Sequence, residues 1–282
     1  MKTILRFFRE FARLYTDIRL TRASAALSYF LTMTFFPLVI VLYTLLGNSY
    51  AKAMEILDFA KNFVAIETAN TISDFLAYVA GNNSTAMMMA AIAVIVTSAS
   101  AAVRSLQATI GEMQGRQRFQ GVMGFVFSIV FSLLFVAALY FAMILMMLGG
   151  DFIAWLNNVL PFVDIGNSWQ TLRFFVLAGI VYVIVWGVYE VSKDRRESYP
   201  TRIGALVSTL AMVGVSIAFS VFIGASVRYP LVYGSLASVI LLMFWLYTAC
   251  LVIYCGAAVN IALRNLRRED RQKRFAPEPE AE

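Results

Sequence analysis

Long uncharged runs dominate the pattern of hydrophobic and polar positions along this chain. A helix needs about 20 apolar residues to cross the roughly 30 Å hydrocarbon layer of a bilayer. Five of the six runs exceed that length, and the fourth reaches it with its flanking residues. The runs are continuously apolar rather than alternating, which excludes the strands of a membrane barrel. The pattern predicts an all-α polytopic membrane protein with six transmembrane helices, in residues 23–51, 75–103, 121–150, 174–189, 203–227 and 229–263.

The segment before the first run, residues 1–22, is basic, and its large apolar side chains recur at helical spacing. Such spacing predicts an amphipathic helix on the anionic cytoplasmic leaflet. It serves either as an interfacial anchor or as a binding site for a partner protein. The apolar face of this helix is expected to contain Ile4, Phe8, Phe11, Tyr15 and Ile18.

The six runs and their connections are expected to form one transmembrane domain, residues 23–265. Within it, the external segment 51–80 has the periodicity of two short amphipathic helices with a break near residues 67–70. Residues 266–282 change from basic to acidic and contain proline, a composition typical of a disordered cytoplasmic tail.

Composition and charge placement agree with a membrane protein. The chain has 60% hydrophobic and 14% charged residues and a mean hydropathy of +0.74. Eighteen of its 23 lysines and arginines fall on the side of the predicted bundle that holds both termini, and four fall on the opposite side. Short basic loops stay in the cytoplasm, so both termini are predicted to be cytoplasmic. The net charge of +6 therefore reflects topology and gives no reason to expect nucleic acid as a partner.

Side chains that carry acid–base or metal chemistry are scarce. The chain has no histidine, and its two cysteines, Cys250 and Cys255, lie on different faces of the last predicted span. Glu112, Asp151 and Glu190 lie near the ends of spans rather than at membrane depth. We therefore expect no metal, no cofactor, no enzymatic activity and no proton relay through side chains.

Polar uncharged side chains instead recur at helical spacing within three of the predicted spans. On the second span, Thr97, Ser100, Arg104 and Gln107 lie within about 80° of one another around the helix axis. Such stripes either let helices pack closely through small residues or line a water-accessible cavity. Two further stripes consist of Ser24, Ser28 and Thr32 on the first span and of Thr209, Ser216 and Ser220 on the fifth.

Arg104 ends the uncharged run of the second span, about 20 residues beyond the turn predicted at residues 82–84. At that depth its side chain either extends to the cytoplasmic headgroups or faces a cavity, where its charge would favour an anionic substrate or a lipid headgroup. Pro37 and Gly234 are two further special positions. Each either forms a hinge or allows close packing.

Three stretches resemble a known family. They read RASAALSYFLTMTFFPLVIVL, YPTRIGALVSTLAMVGVSIAFSVFI and YGSLASVILLMFWLYTACLVIYCGAAVNIAL. They resemble the first, fifth and last spans of the YihY family, also called the virulence factor BrkB family, some of whose members were once labelled ribonuclease BN. The resemblance implies a six-helix protein of the bacterial inner membrane. Where the family motif has glutamate this chain has Ala258, whereas Asn260 matches the motif.

These observations lead to two functional hypotheses. The first is a transporter, or a protein that translocates lipids or other amphiphiles, with a polar pathway between the first, second, fifth and sixth spans. The alternative is a membrane scaffold or assembly factor for the cell envelope. Membrane lipids are the expected partners, and a nuclease is disfavoured because acidic clusters and histidines are missing. The pathway is expected to involve Ser28, Thr32, Thr97, Ser100, Arg104, Gln107, Ser216 and Asn260.

Overall fold

The computed structural model describes residues 2–45, 49–60, 66–82, 84–115, 129, 169–193, 199–225 and 236–275. Every regular element within these ranges is an α-helix. In chain order the helices are α1 (Lys2–Asp17), α2 (Leu20–Leu45), α3 (Tyr50–Ala60), α4 (Ile66–Asn82), α5 (Thr85–Met113), α6 (Trp169–Ser192), α7 (Arg202–Ala225) and α8 (Leu236–Phe275).

Five of these helices contain a stretch long and apolar enough to cross a membrane. They correspond to the first, second, fourth, fifth and sixth predicted spans, and the third, residues 121–150, lies outside the described residues except for residue 129. The predicted all-α polytopic fold is confirmed. The five stretches are Leu20–Val41, Thr85–Met113, Phe175–Ser192, Arg202–Phe219 and Val239–Asp270.

The second span begins ten residues after the start of its uncharged run, directly after the turn predicted at residues 82–84, because a helix cap interrupts the run. Ser84 has an extended backbone, and its hydroxyl oxygen accepts a hydrogen bond from the amide of Met87 at 3.2 Å. This bond satisfies one of the amides that a helix start leaves without a partner. Residues 75–82 therefore belong to α4, and the span consists of α5.

The segment after α2 contains the helices α3 and α4, and the break between them lies after Ala60 and before Ile66. The predicted break at residues 67–70 is wrong, since these residues lie inside α4. The two helices pack on each other and on α2 through a second apolar core. Its buried members are Ile40, Tyr43, Ala53, Leu57, Ala69, Leu76, Val79 and Ala91.

The main core lies toward the cytoplasmic ends of the spans. Helix α2 packs against α5 and α8, and α7 packs against α6 and α8. Side chains of α8 are among its most deeply buried: Tyr254, Ala258 and Ala262 are fully buried there. Helix α8 is thus the central element of the described bundle.

Helix α1 joins the bundle more closely than predicted. Its side chains Phe11 and Tyr15, and Ile18 directly after the helix, pack against the main core, whereas Ile4 and Phe8 are exposed. The five residues lie within about 80° of one another around the helix axis, so they share one side of it, but only the three nearest α2 pack against the bundle. A turn at Arg19, which has a φ of 55°, connects α1 to α2.

Helix α8 continues to Phe275, so residues 266–275 of the predicted disordered tail are helical. The physical reason is a helical partner. Glu10 of α1 accepts a hydrogen bond from Asn265 at 2.7 Å, and Arg6 lies 3.9 Å from Asp270. Residues 276–282 lie outside the described residues.

Candidate functional site

The polar stripe of α5 lies along the edge of that helix's buried face. Ser100 and Gln107 are buried, Arg104 is half-buried and Thr97 is exposed. Arg104 is the twentieth residue of α5, which places it near the cytoplasmic end of the span. The stripe therefore leads from an exposed hydroxyl at mid-span to a partly exposed cation near the headgroups.

The stripe of α2 is buried, and its hydroxyl groups are satisfied within the helix. Ser24 donates to the carbonyl of Leu20 at 2.7 Å, Ser28 to that of Ala25 at 2.9 Å, and Thr32 to that of Ser28 at 2.8 Å. Thr97 of α5 likewise donates to carbonyls one turn earlier. In an apolar helix a hydroxyl group usually donates its hydrogen bond to a backbone carbonyl of the same helix in this way, so that its proton has an acceptor.

One pair of hydroxyl groups links the two helices directly. The side chains of Thr34 on α2 and Ser98 on α5 are 2.8 Å apart and form a hydrogen bond. We call the polar side chains of these two packed helices, from Ser24 to Thr34 and from Thr97 to Gln107, the α2–α5 seam. Of the predicted pathway residues, Ser28, Thr32, Thr97, Ser100, Arg104 and Gln107 belong to it.

The remaining predicted positions lie elsewhere. Ser216 is half-buried on α7, and Pro37 is half-buried inside α2. Asn260 bonds to Thr201 and Gly204, at the start of α7. Gly234 lies outside the described residues. The structure thus brings six of the pathway residues onto one helix pair and places Asn260 in a different contact.

That second contact is a close crossing of α7 and α8. A Cβ atom added at Gly204 would overlap the carbonyl oxygen of Gly256, and one added at Gly256 would overlap the hydroxyl of Ser208. Only glycine allows the two backbones to approach this closely. We call this contact the α7–α8 crossing.

Asn260 uses both ends of its amide at the crossing. Its Oδ1 accepts a hydrogen bond from the amide of Gly204 at 2.7 Å, and its Nδ2 donates to the carbonyl of Thr201 at 2.9 Å. Helix α7 begins at Arg202, so the Gly204 amide is one that the helix leaves without an internal partner. Asn260 caps α7 from a neighbouring helix.

Tyr189 of α6 connects the crossing to a third helix. Its hydroxyl donates to the carbonyl of Ile253 and lies 2.7 Å from the hydroxyl of Ser208, which in turn donates to the carbonyl of Val252 at 3.1 Å. Tyr189 is buried, so these bonds replace the water that the hydroxyl loses.

A cluster of charged and aromatic side chains continues from the crossing to the cytoplasmic ends of the helices. Glu190 accepts hydrogen bonds from the Thr201 hydroxyl at 2.5 Å and from the Lys193 ammonium at 2.9 Å. The Tyr199 hydroxyl accepts a hydrogen bond from Gln114, the C-cap residue of α5, at 3.2 Å, and the Arg264 guanidinium lies 5.6 Å from the centre of the Tyr199 ring. These contacts join α5, α6, α7 and α8 at their cytoplasmic ends.

Sequence analysis did not single out Gly204, Ser208, Gly256 or Tyr189. A signal was present for three of them, because small residues four apart on two spans indicate a close helix crossing. The pairs are Gly204 with Ser208 and Gly256 with Asn260. Tyr189 carried no comparable signal, since a tyrosine at the cytoplasmic end of a span is ordinarily an interface residue.

The described residues contain no group of three or more histidine, cysteine or acidic side chains close enough to hold a metal ion. What the seam offers chemically is a row of neutral oxygen atoms and the single cation of Arg104. Such a set can bind polar and anionic groups.

Comparison with known proteins identifies relatives across nearly the whole chain. The chain is 22% identical over 268 residues to the putative ribonuclease-like protein YfkH of Bacillus subtilis. This alignment covers 93% of the chain and 96% of that protein. The chain is 32% identical over 104 residues to the UPF0761 membrane protein YE0031 of Yersinia enterocolitica. That alignment covers 36% of this chain and 35% of the relative. No solved structure matches the chain.

The family resemblance inferred from three stretches of sequence is confirmed over a longer range. The model of the family described as virulence factor BrkB matches residues 11–281. The UPF0761 relatives are named as membrane proteins, in agreement with the five described spans. The chain belongs to the virulence factor BrkB family and is a multi-pass protein of the bacterial inner membrane.

Proposed function

We propose that the protein moves an amphiphilic or anionic molecule, with a membrane lipid as the first candidate, along a polar pathway between α2, α5, α7 and α8. One observation carries the proposal. The half-buried cation of Arg104 lies on the same face of α5 as the buried side chains Ser100 and Gln107. A cation and a primary amide are costly beside hydrocarbon and are more often found where a protein handles polar groups.

The hydroxyl groups of the α2–α5 seam suit such a pathway. When a hydroxyl group donates its proton to a carbonyl of its own helix, its oxygen can still accept a hydrogen bond from a passing ligand. The side chains are also small, so a headgroup can pass without large movements of the helices. Helix packing alone accounts for the buried hydroxyls, so the proposal depends on Arg104 more than on them.

Arg104 gives the pathway its expected selectivity. A guanidinium is always charged and binds phosphate or carboxylate through two parallel hydrogen bonds. Acidic side chains are absent from the described part of the seam, and Glu190 at the cytoplasmic end is bonded to Lys193 and Thr201. The proposed movement therefore uses no carboxylate proton relay.

The name of the Bacillus subtilis relative refers to a ribonuclease-like protein. Metal-dependent cleavage of a phosphodiester uses clustered carboxylates or histidines. This chain has no histidine, and its described residues hold no acidic cluster of that kind. The proposal therefore assigns no enzymatic activity.

Lipid movement in proteoliposomes tests the proposal. We expect Arg104→Ala to slow transbilayer movement of a fluorescent phosphatidylglycerol by roughly 10- to 100-fold, since a hydrogen bond to a charged group contributes about 1.5–3 kcal/mol. Arg104→Lys should retain part of the rate, because it keeps the charge and loses the two-pronged geometry. Arg22→Ala is the matched control, since Arg22 is an exposed cation near the cytoplasmic end of α2. Equal rates for Arg104→Ala and the unaltered protein, both correctly folded, would contradict the proposal.

A second candidate function is a scaffold or assembly factor for the cell envelope. The observation in its favour is the pair formed by α1 and residues 264–275 of α8, which presents two helices on the cytoplasmic side. Site-specific crosslinking in cells distinguishes the two functions. A scaffold predicts one reproducible protein adduct from this pair together with normal lipid movement when Arg104 is replaced.

A further inference from the structure

Helix α1 presents three different faces. Phe7, Phe11, Leu14, Tyr15 and Ile18 pack against the main core. A second face exposes Ile4, Leu5 and Phe8, whose exposed fractions are 62%, 69% and 62%. Arg9 and Arg13 follow next around the helix and are also exposed. Three adjacent exposed side chains of this size form an apolar patch, and such patches mark interaction sites for proteins or membranes.

The position of α1 indicates where that partner lies. The contacts of Glu10 with Asn265 and of Arg6 with Asp270 show that α1 runs antiparallel to the cytoplasmic end of α8. Its other end joins α2 through the turn at Arg19, directly beside the first span. The whole of α1 is therefore held within a short distance of the membrane.

The length of α8 brings α1 closer still. The uncharged part of α8, residues 236–263, is about 42 Å long as a helix, whereas the hydrocarbon layer measures about 30 Å. A hydrophobic excess of this kind is accommodated by tilting. A tilted α8 leaves the bilayer obliquely, and its charged end, with α1 packed along it, then runs through the headgroup layer.

Charge selects the kind of partner. Helix α1 carries four basic and two acidic residues, and Arg19 and Arg22 follow it. Two of its arginines are near carboxylates, Arg13 at 3.4 Å from Asp17 and Arg6 at 3.9 Å from Asp270, but these side chains remain largely exposed. A second copy of this basic surface would be repelled, whereas the anionic cytoplasmic leaflet attracts it.

We propose that the exposed face of α1 binds anionic phospholipids of the cytoplasmic leaflet. Ile4, Leu5 and Phe8 insert among the upper parts of the acyl chains, while Arg9 and Arg13 contact the headgroup phosphates. The binding surface is separate from the α2–α5 seam and does not depend on the proposed movement of lipids along it.

Photocrosslinking of the full-length protein tests this proposal. The photoreactive residue p-benzoylphenylalanine replaces Phe8 or, in a matched variant, Phe11, and the protein is reconstituted with equal amounts of phosphatidylglycerol and phosphatidylcholine. We expect lipid adducts at position 8 and mainly adducts within the protein at position 11, which packs on the core. The adducts at position 8 should favour phosphatidylglycerol at least fivefold, since each basic residue near an anionic surface contributes roughly a factor of five.

The same reagent at Phe175 is the positive control, because this residue is 70% exposed in the α6 span. Combining Arg9→Gln and Arg13→Gln should remove the preference for phosphatidylglycerol at position 8 and leave the adducts at position 175 unchanged. Three results overturn the proposal: no lipid adduct at position 8 while position 175 reacts, equal reaction with the two lipids, or adducts in cell membranes only with another protein.

Discussion

At the scale of single residues, Asn260 shows how one side chain takes over the task of another. The residue before α7, Thr201, is of a type that commonly caps a helix with its own hydroxyl. Here that hydroxyl bonds to Glu190, and the Gly204 amide is capped by Asn260 from α8. The start of α7 is therefore defined by contacts to two other helices. No inspection of residues 199–205 alone would reveal this arrangement.

The α7–α8 crossing leads to a prediction about Gly256. The change Gly256→Ala places a Cβ atom where the Ser208 hydroxyl and the Gly204 carbonyl now lie, so the helices must separate. We expect the free energy of unfolding to fall by about 1–3 kcal/mol, or more if Tyr189 also loses its partners. Thermal unfolding in a mild detergent measures the effect.

Gly214→Ala is the control for that experiment. Gly214 lies on α7 and has no atom within 4 Å of an added Cβ. Alanine in a helix is favoured over glycine by about 0.5–1 kcal/mol, so this variant should unfold at the same or a slightly higher temperature. Equal destabilisation of both variants would mean that the crossing is looser than the structure indicates.

At the scale of helices, the sequence predicted the spans better than their ends. Apolar runs indicate membrane helices because lipid offers no partner to a backbone group, a constraint that acts on every residue of a span. The ends follow from single contacts. The bond of Ser84 to Met87 moves the start of α5, and the contacts of α1 extend α8 to Phe275. Such contacts join residues far apart in sequence or depend on backbone angles. The periodicity of apolar residues along the sequence predicts neither of these.

The two apolar faces of α1 lead to a prediction about stability. Phe11 packs against the main core, whereas Phe8 is 62% exposed. We expect Phe11→Ala to lower the free energy of unfolding by about 2–4 kcal/mol, somewhat less than for a fully buried phenylalanine. Phe8→Ala should change it by less than about 0.5 kcal/mol in detergent. Thermal unfolding of the two variants side by side checks this, and a larger effect at Phe8 would show that α1 is rotated about its axis.

At the scale of the whole molecule, the class of protein and its membrane location follow from hydropathy and charge placement alone. The role of the polar stripes does not, because packing and a pathway use the same residue types at the same spacing. The structure separates Asn260 from the α2–α5 seam through its bonds to Gly204 and Thr201. The pathway along the seam is a proposal, and the packing and pathway hypotheses predict different access of water to its side chains.

Labelling with a water-soluble maleimide measures this access. In a protein with Cys250→Ala and Cys255→Ala, single cysteines replace Ser28, Thr97, Ser100 or Ser216. If the pathway holds water, we expect labelling at Ser28 and Ser100 in permeabilised cells, although the structure buries both side chains. Ile217→Cys is the lipid-facing control, since Ile217 is 61% exposed on α7 and should remain unlabelled. If none of the four cysteines is labelled in correctly folded protein, the polar side chains pack without water between the helices, and the scaffold function is favoured.

The cap that Asn260 places on α7 also sets an order of events during synthesis. Asn260 follows Gly204 by 56 residues, so the first turn of α7 is synthesised before the residue that caps it. At about 5–20 residues per second, the ribosome needs roughly 3–11 s to supply it. During that interval the first turn of α7 depends on water, lipid headgroups or the insertion machinery for its hydrogen bonds. Helix α8 therefore completes α7, a helix that is made before it.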